Sequence, residues 1–218
     1  MRLDLEIEKL KRKLLSLSSL VEESFYKAIK AYLSRDQVTA NSITTVDDEI
    51  DATEVEIEEE CLKVLALYQP VAVDLRYIVS ILKINNDLER IGDLAVNIAH
   101  RVRHVSAQPL AQEPLQLLEN MAEKAMGMLR DCLQAVVNGD VVLSQSVCKA
   151  DAEVDQLNRQ MHQIIIALLD QPHSQVSDLV SLLNTARNVE RIADHATNIA
   201  EDVIYLNKGE IVRHRRSV

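Results

Sequence analysis

Glu89, Asp93 and Asn97 stand four residues apart, and about a hundred residues later Glu190, Asp194 and Asn198 repeat the spacing. On an α-helix that spacing stacks three oxygen-bearing side chains along one face. Further acids are spaced the same way: Asp47, Asp51, Glu54 and Glu58 in the first half, Asp151 and Asp155 in the second, the latter continued by Asn158 and His162. Like charges one turn apart repel by roughly 0.2–0.5 kcal/mol a pair. Most acidic stripes are simply solvated helix faces. One that is built twice, with no Lys at the matching height, suggests a bound cation instead. Carboxylate and amide oxygens are hard donors, suited to Mg, Mn or Fe more than to a thiol-seeking metal.

The stripes belong to a longer repeat. Glu-Arg-Ile-x-Asp-x-Ala-x-Asn-Ile-Ala runs from Glu89 to Ala99 and again from Glu190 to Ala200. A duplicated segment of this length implies two supersecondary units of one design. Beside each stripe runs an apolar seam, Ile84, Leu88, Ile91, Ala95, Ile98 and Val102 in one copy and Val189, Ile192, Ala196, Ile199 and Val203 in the other. Each copy therefore reads as a helix with a core seam and an acid stripe next to it.

The same period extends along the chain. A first helix covers Leu3 to about Ser34 on Leu10, Leu14, Leu17, Val21, Ala28 and Tyr32. Arg35-Asp36-Gln37 reads as a turn, and a second helix starts at Thr39 or Asn41 and ends at Gln69-Pro70, since proline disfavours helical geometry in the residue before it. A third runs from about Val73 to Val105. Two prolines without a strong period place the domain linker between Ser106 and Pro114. The second half repeats the plan: a helix from Leu115 to Val137 stopped at Asn138-Gly139-Asp140, a second on Val147, Val154 and Met161 stopped at Gln171-Pro172, and a third from Val176 to about Asn207 with Gly209 as its end. The expected fold is all-α, six long antiparallel helices in two pseudo-symmetric three-helix bundles, residues 1–106 and 107–218. Reflecting each hairpin about its turn, near Val71 and near His173, brings Asp47 and Asp51 level with Glu89 and Asp93, and Asp151 and Asp155 level with Glu190 and Asp194.

Composition agrees and excludes several classes. The 218 residues are 47% hydrophobic and 3% aromatic, with four Gly, four Pro and no Trp. A net charge of −10 argues against a nucleic-acid partner, which demands clustered Lys and Arg. The basic run Arg213-His214-Arg215-Arg216 is short enough to read as a solvated end. Three scattered cysteines, Cys61, Cys132 and Cys148, fit a reducing compartment better than a disulfide frame. With no apolar run near the roughly 20 residues of a membrane span and no leader-like start, the chain is expected to be soluble and cytoplasmic. An enzyme with carboxylate-bridged metals would be expected to carry Glu-x-x-His on its bundle helices. That pair does not occur, nor does a Gly-rich phosphate loop or a nucleophile with a nearby base. His195 beside Asp194 reads first as a hydrogen-bonded packing residue. His100 and Glu201 occupy matching positions, so the two acid groups need not be equal.

Three stretches carry a family resemblance: Asp87 to Asp93, Gln69-Pro70-Val71-Ala72-x-Asp74-Leu75-Arg76, and Asp194 to Tyr205. Together they resemble the PhoU family of phosphate-signalling regulators along nearly the whole chain. The resemblance implies two three-helix bundles and acidic motifs, here Asp47-x-x-x-Asp51, Glu89-x-x-x-Asp93, Asp151-x-x-x-Asp155 and Glu190-x-x-x-Asp194, that bind multinuclear metal clusters, often of iron, with Mg, Mn or Zn as alternatives. Asn97, Asn198 and Glu201 complete the expected ligand set. Leu94 stands where this family often has His, as at His195. The resemblance further implies a non-enzymatic negative regulator of the phosphate-starvation response. Its partners would be the ATPase subunit of a phosphate ABC transporter and a sensor histidine kinase, with membrane contact through those partners only and a homodimer allowed. The competing reading is a metal-free helical scaffold.

Overall fold

The computed structural model describes residues 2–106, 110–171 and 175–209. Six helices account for nearly all of them: α1 (Arg2–Ser34), α2 (Gln37–Tyr68), α3 (Ala72–Arg101), α4 (Gln112–Asn138), α5 (Val141–Leu169) and α6 (Val176–Lys208). No strand occurs among the described residues. The seams lie where the period put them. Ile84, Leu88, Ile91, Ala95 and Ile98 of α3 and Val189, Ile192, Ala196 and Ile199 of α6 are all buried. Burying each such Ile or Val fully contributes about 1.5–3 kcal/mol.

Within each half, sequential helices are antiparallel neighbours, α2 packing on α1 and α3, and α5 on α4 and α6. The halves join through α3 against α6, a packing exceeded inside the bundles only by that of α5 on α6, and more sparsely through α1 against α4. One continuous apolar core therefore runs from Leu10 of α1 to Ala200 of α6.

The ends are set by local chemistry, and here the structure differs from the sequence expectation. α2 begins at Gln37, ahead of Thr39 and Asn41, because the Asp36 carboxylate accepts from the backbone N–H groups of Val38 (2.9 Å) and Thr39 (3.1 Å). Asp140 caps α5 in the same way, through Val142 and Leu143. Helix α4 begins at Gln112 and takes Pro114 into its first turn, so the linker is shorter than Ser106 to Pro114. Proline is tolerated there because first-turn N–H groups have no intrahelical partner. α3 stops at Arg101 and continues as one 3₁₀ turn to His104 instead of reaching Val105 as α-helix. Gly139 closes α4 at φ 64°, a left-handed position that costs glycine nothing. His173, Pro172 and the basic run from Arg213 lie outside the described residues.

Candidate functional site

Each half brings two acid stripes face to face. In the first, Asp47, Asp51 and Glu54 of α2 look onto Glu89 and Asp93 of α3. The Asp47 carboxyl is pushed up to about 6, by burial first and then by Asp51 and Asp93. Glu89 is raised by burial and by Asp93, and Glu54 by burial, Glu58 and Asp51. In the second half, Asp151 and Asp155 of α5 look onto Glu190 and Asp194 of α6. Asp194 keeps an open face to solvent, yet the helices behind it exclude water from the other side. Its carboxyl is pushed up to about 6 by that burial, then by Asp151, Glu190 and Asp155, with His195 opposing. Asp151 is raised by burial and by Asp155.

In the first group, Arg90 reaches both its neighbours, with Nε 3.3 Å from Glu89 and Nη1 3.3 Å from Asp93. Gly92 lets α2 come close: a Cβ there would stand 3.2 Å from Cγ2 of Ile50 and 3.8 Å from Oδ1 of Asp47. That Asp47 oxygen is buried and has no hydrogen-bond partner. Asn85, 1% exposed, donates from Nδ2 to the Glu54 carbonyl (2.9 Å) and to Oε1 (3.0 Å). A buried, unpartnered carboxylate oxygen in a set of oxygen donors fits a hard cation. As the side chains stand, no three His, Cys, Asp or Glu groups among the described residues enclose a metal-sized point.

Two expected ligands are placed differently. Asn97 is exposed and, among the described residues, hydrogen-bonds to none of the acids. Asn198 turns away from Glu190 and Asp194 and donates to Oδ1 of Asp87 on α3 at 3.3 Å. Four residues advance 400° on a helix, so each step along a stripe drifts about 40° and the third member leaves the face of the first. Glu201, two turns beyond Asp194, stands by Cys148, whose thiol burial pushes up to about 11 with help from Glu201 and Asp151. A thiol held protonated in this way is a poor ligand.

The residue that sequence reasoning missed is Asp87. It is 6% exposed at the α3–α6 seam and accepts from Asn198 and from His195, whose Nδ1 lies 2.8 Å away. His195 is therefore a packing residue that joins the halves. Donation from Nδ1 fixes the tautomer with Nε2 facing away. Nearby, Lys83 pairs at 3.2 Å with Asp202, 1% exposed, and lies 5.0 Å over the Tyr205 ring. A signal existed: Asp87 and His195 are positions where the two copies differ, being Asn188 and Leu94 in the other.

The PhoU domain matches the chain twice, over residues 14–102 and 118–203. The phosphate-specific transport system accessory protein PhoU homologue of Aquifex aeolicus is 37% identical over 99% of this chain and 97% of its own. The homologue of Pseudomonas putida is 36% identical over 96% and 82%. Among solved structures, the phosphate transport system regulatory protein PhoU from Streptococcus pneumoniae superimposes with a TM-score of 0.90 at 33% identity, covering 96% of this chain and 99% of that one. PhoU from Pseudomonas aeruginosa follows at 0.88, also 33% identical, over 95% and 99%. Two copies of one domain, and kin alike along almost the full length, make this chain a member of the PhoU family.

Proposed function

We propose that the chain is an accessory regulator of phosphate uptake, holding the phosphate-starvation response off by contact with the ATPase of a phosphate ABC transporter and with a sensor histidine kinase. The observation that carries this reading is full-length kinship with proteins named as accessory and regulatory components of phosphate transport. The fold supports a contact role. It offers long, charged helix faces, and none of the described helices is long and apolar enough to cross a membrane. Deleting the gene is expected to leave starvation genes on in rich phosphate. Repression that survives deletion, in a cell with no second copy, would overturn the reading.

The regulator is further proposed to carry metal. Asp47, Asp51, Glu54, Glu89 and Asp93 would hold a hard cation in the first half, and Asp151, Asp155, Glu190 and Asp194 in the second. The cation would supply the positive charge that the crowded carboxylates lack, and the unpartnered Asp47 oxygen supports its place there. Metal analysis of protein purified without chelator or His tag tests this, and Asp93→Ala and Asp194→Ala are expected to lower the load. A metal-free scaffold has one observation in its favour, since Arg90 already balances Glu89 and Asp93. A wild-type metal load in both variants would decide for that alternative.

A further inference from the structure

Helices α1 and α4 meet where Arg130 Nε lies 3.2 Å from Glu22 Oε1. Beyond that bridge they enclose a groove of about 670 Å³ without filling it. Its floor is apolar, with Ile29 and Leu33 from α1 and Ala122 and Met126 from α4. Glu119 to Arg130 on the α4 wall spans eleven steps, about 16 Å at 1.5 Å per residue, or three helical turns.

On that wall, about one turn before Arg130, sits Gly127. A Cβ built there meets nothing within 4 Å. Glycine inside a helix costs about 1 kcal/mol against alanine, and no neighbour among the described residues requires its bareness. What it leaves is a gap in the wall where another backbone can come close.

The lips carry charge that the chain does not use. Lys30 on α1 and Glu119 and Glu123 on α4 line the groove, and among the described residues none of the three has an ion-pair partner. Opposite charges face each other across the opening without closing it. Tyr26, 57% exposed, stands at the rim.

We propose that this groove receives an amphipathic helix of a partner protein. Apolar residues at i, i+3 or i+4, and i+7 would lie on the floor, close against Gly127. Basic residues would edge the helix on the Glu119–Glu123 side, and an acidic residue on the Lys30 side. A second copy of this chain fits less well, because it would set one concave surface against another. The proposal rests on the contact-regulator reading for its expectation of a protein partner.

The test is selection from a displayed library of three-turn helical peptides against the whole protein, followed by fluorescence anisotropy with the enriched peptides. Enrichment of the apolar spacing with one basic and one acidic edge is expected. Gly127→Leu, which fills the gap, should weaken those peptides at least about tenfold while Tm stays equal or rises. Glu119→Lys with Glu123→Lys should reverse the preferred edge charge. No enrichment, equal binding to Gly127→Leu, or an edge preference that survives the charge reversal would overturn the proposal. So would a dimer in sedimentation that Gly127→Leu abolishes, since the occupant would then be a second copy. An empty selection beside a constitutive starvation response on deletion removes the groove alone and leaves the regulator reading standing.

Discussion

The two acid groups come from one repeat, and they differ most in how each handles its own charge. The first carries an internal counter-charge, Arg90, bound to Glu89 and Asp93. In the second, the matching Arg191 is exposed and has no carboxylate within ion-pair distance among the described residues, and the counter-charge comes instead from Arg159, whose Nη1 lies 3.7 Å from Asp155. Where Asn85 holds Glu54, the second copy has Ala186 and Asn158 at the matching positions, and the Asn158 Oδ1 is buried without a partner. Ala193 stands in the place of Gly92, so a methyl enters where the first crossing has none. His195 and Asn198 of the second copy are spent on Asp87 of the first. The seam was kept in both copies while polar positions were redistributed, the first half settling its charge locally and the second contributing side chains to the junction.

Four measurements can break or sharpen that contrast. The largest effect is expected in the part that does not differ. Ile91→Ala and Ile192→Ala each remove a fully buried side chain and should each cost about 2–5 kcal/mol in urea denaturation. A clear inequality would mean that the packing itself has diverged.

Asp87→Ala comes next, at about 1–3 kcal/mol, because it strands His195 and Asn198 at a buried seam. The matching Asn188→Ala should lie within about 0.5 kcal/mol of wild type. Similar costs at the two positions would end the claim that the junction is one-sided.

The third measurement is pH dependence in metal-free protein. Asp47 and Asp194 titrate at about 6 when folded, against an ordinary value of 3.8, so the native state binds their protons more tightly than the unfolded chain does. Stability should therefore fall as pH rises from 3.8 through about 6, with the full penalty present at neutral pH. Asp47→Asn and Asp194→Asn should each raise stability at pH 7 by about 1 kcal/mol, solvent screening considered, and the gain should disappear below about pH 4. Thermal melts across that range decide it, and a gain that persists in acid would point to packing instead of charge.

The smallest effect concerns the arginines. Arg90→Gln should cost about 0.2–1 kcal/mol at low salt and less at high salt, while Arg191→Gln should be silent. Equal effects would erase the distinction between a group whose repeat arginine bridges two carboxylates and one whose repeat arginine bridges none.

Much of this was legible beforehand because helices bury by period. Every residue expected on the α3 and α6 seams is buried, and the reflection about each turn placed Asp47 opposite Asp93 and Asp151 opposite Asp194. Periodicity is silent about ends. Asp36 looked like part of a turn, since a cap is recognised only once the helix beside it is known, and Pro114 looked like a breaker because its place in a first turn was not visible. The stripe reading failed at Asn97 and Asn198, where four-residue spacing and a 3.6-residue turn drift apart. Asp87 was hidden for another reason. It faces a helix more than a hundred residues away, and nothing local to Asp87 says which surface will cover it.

The close packing of α3 on α6 also has a consequence during synthesis. Sequential helices pair locally, so the first bundle can assemble while the rest of the chain is still being translated. Its α3 must then wait for α6, the last of the described helices, and until that helix emerges Asp87 has neither His195 nor Asn198 to satisfy it. The face of α3 that meets α6 thus stays uncovered until α6 is made, and docking of that helix is the event that seals it.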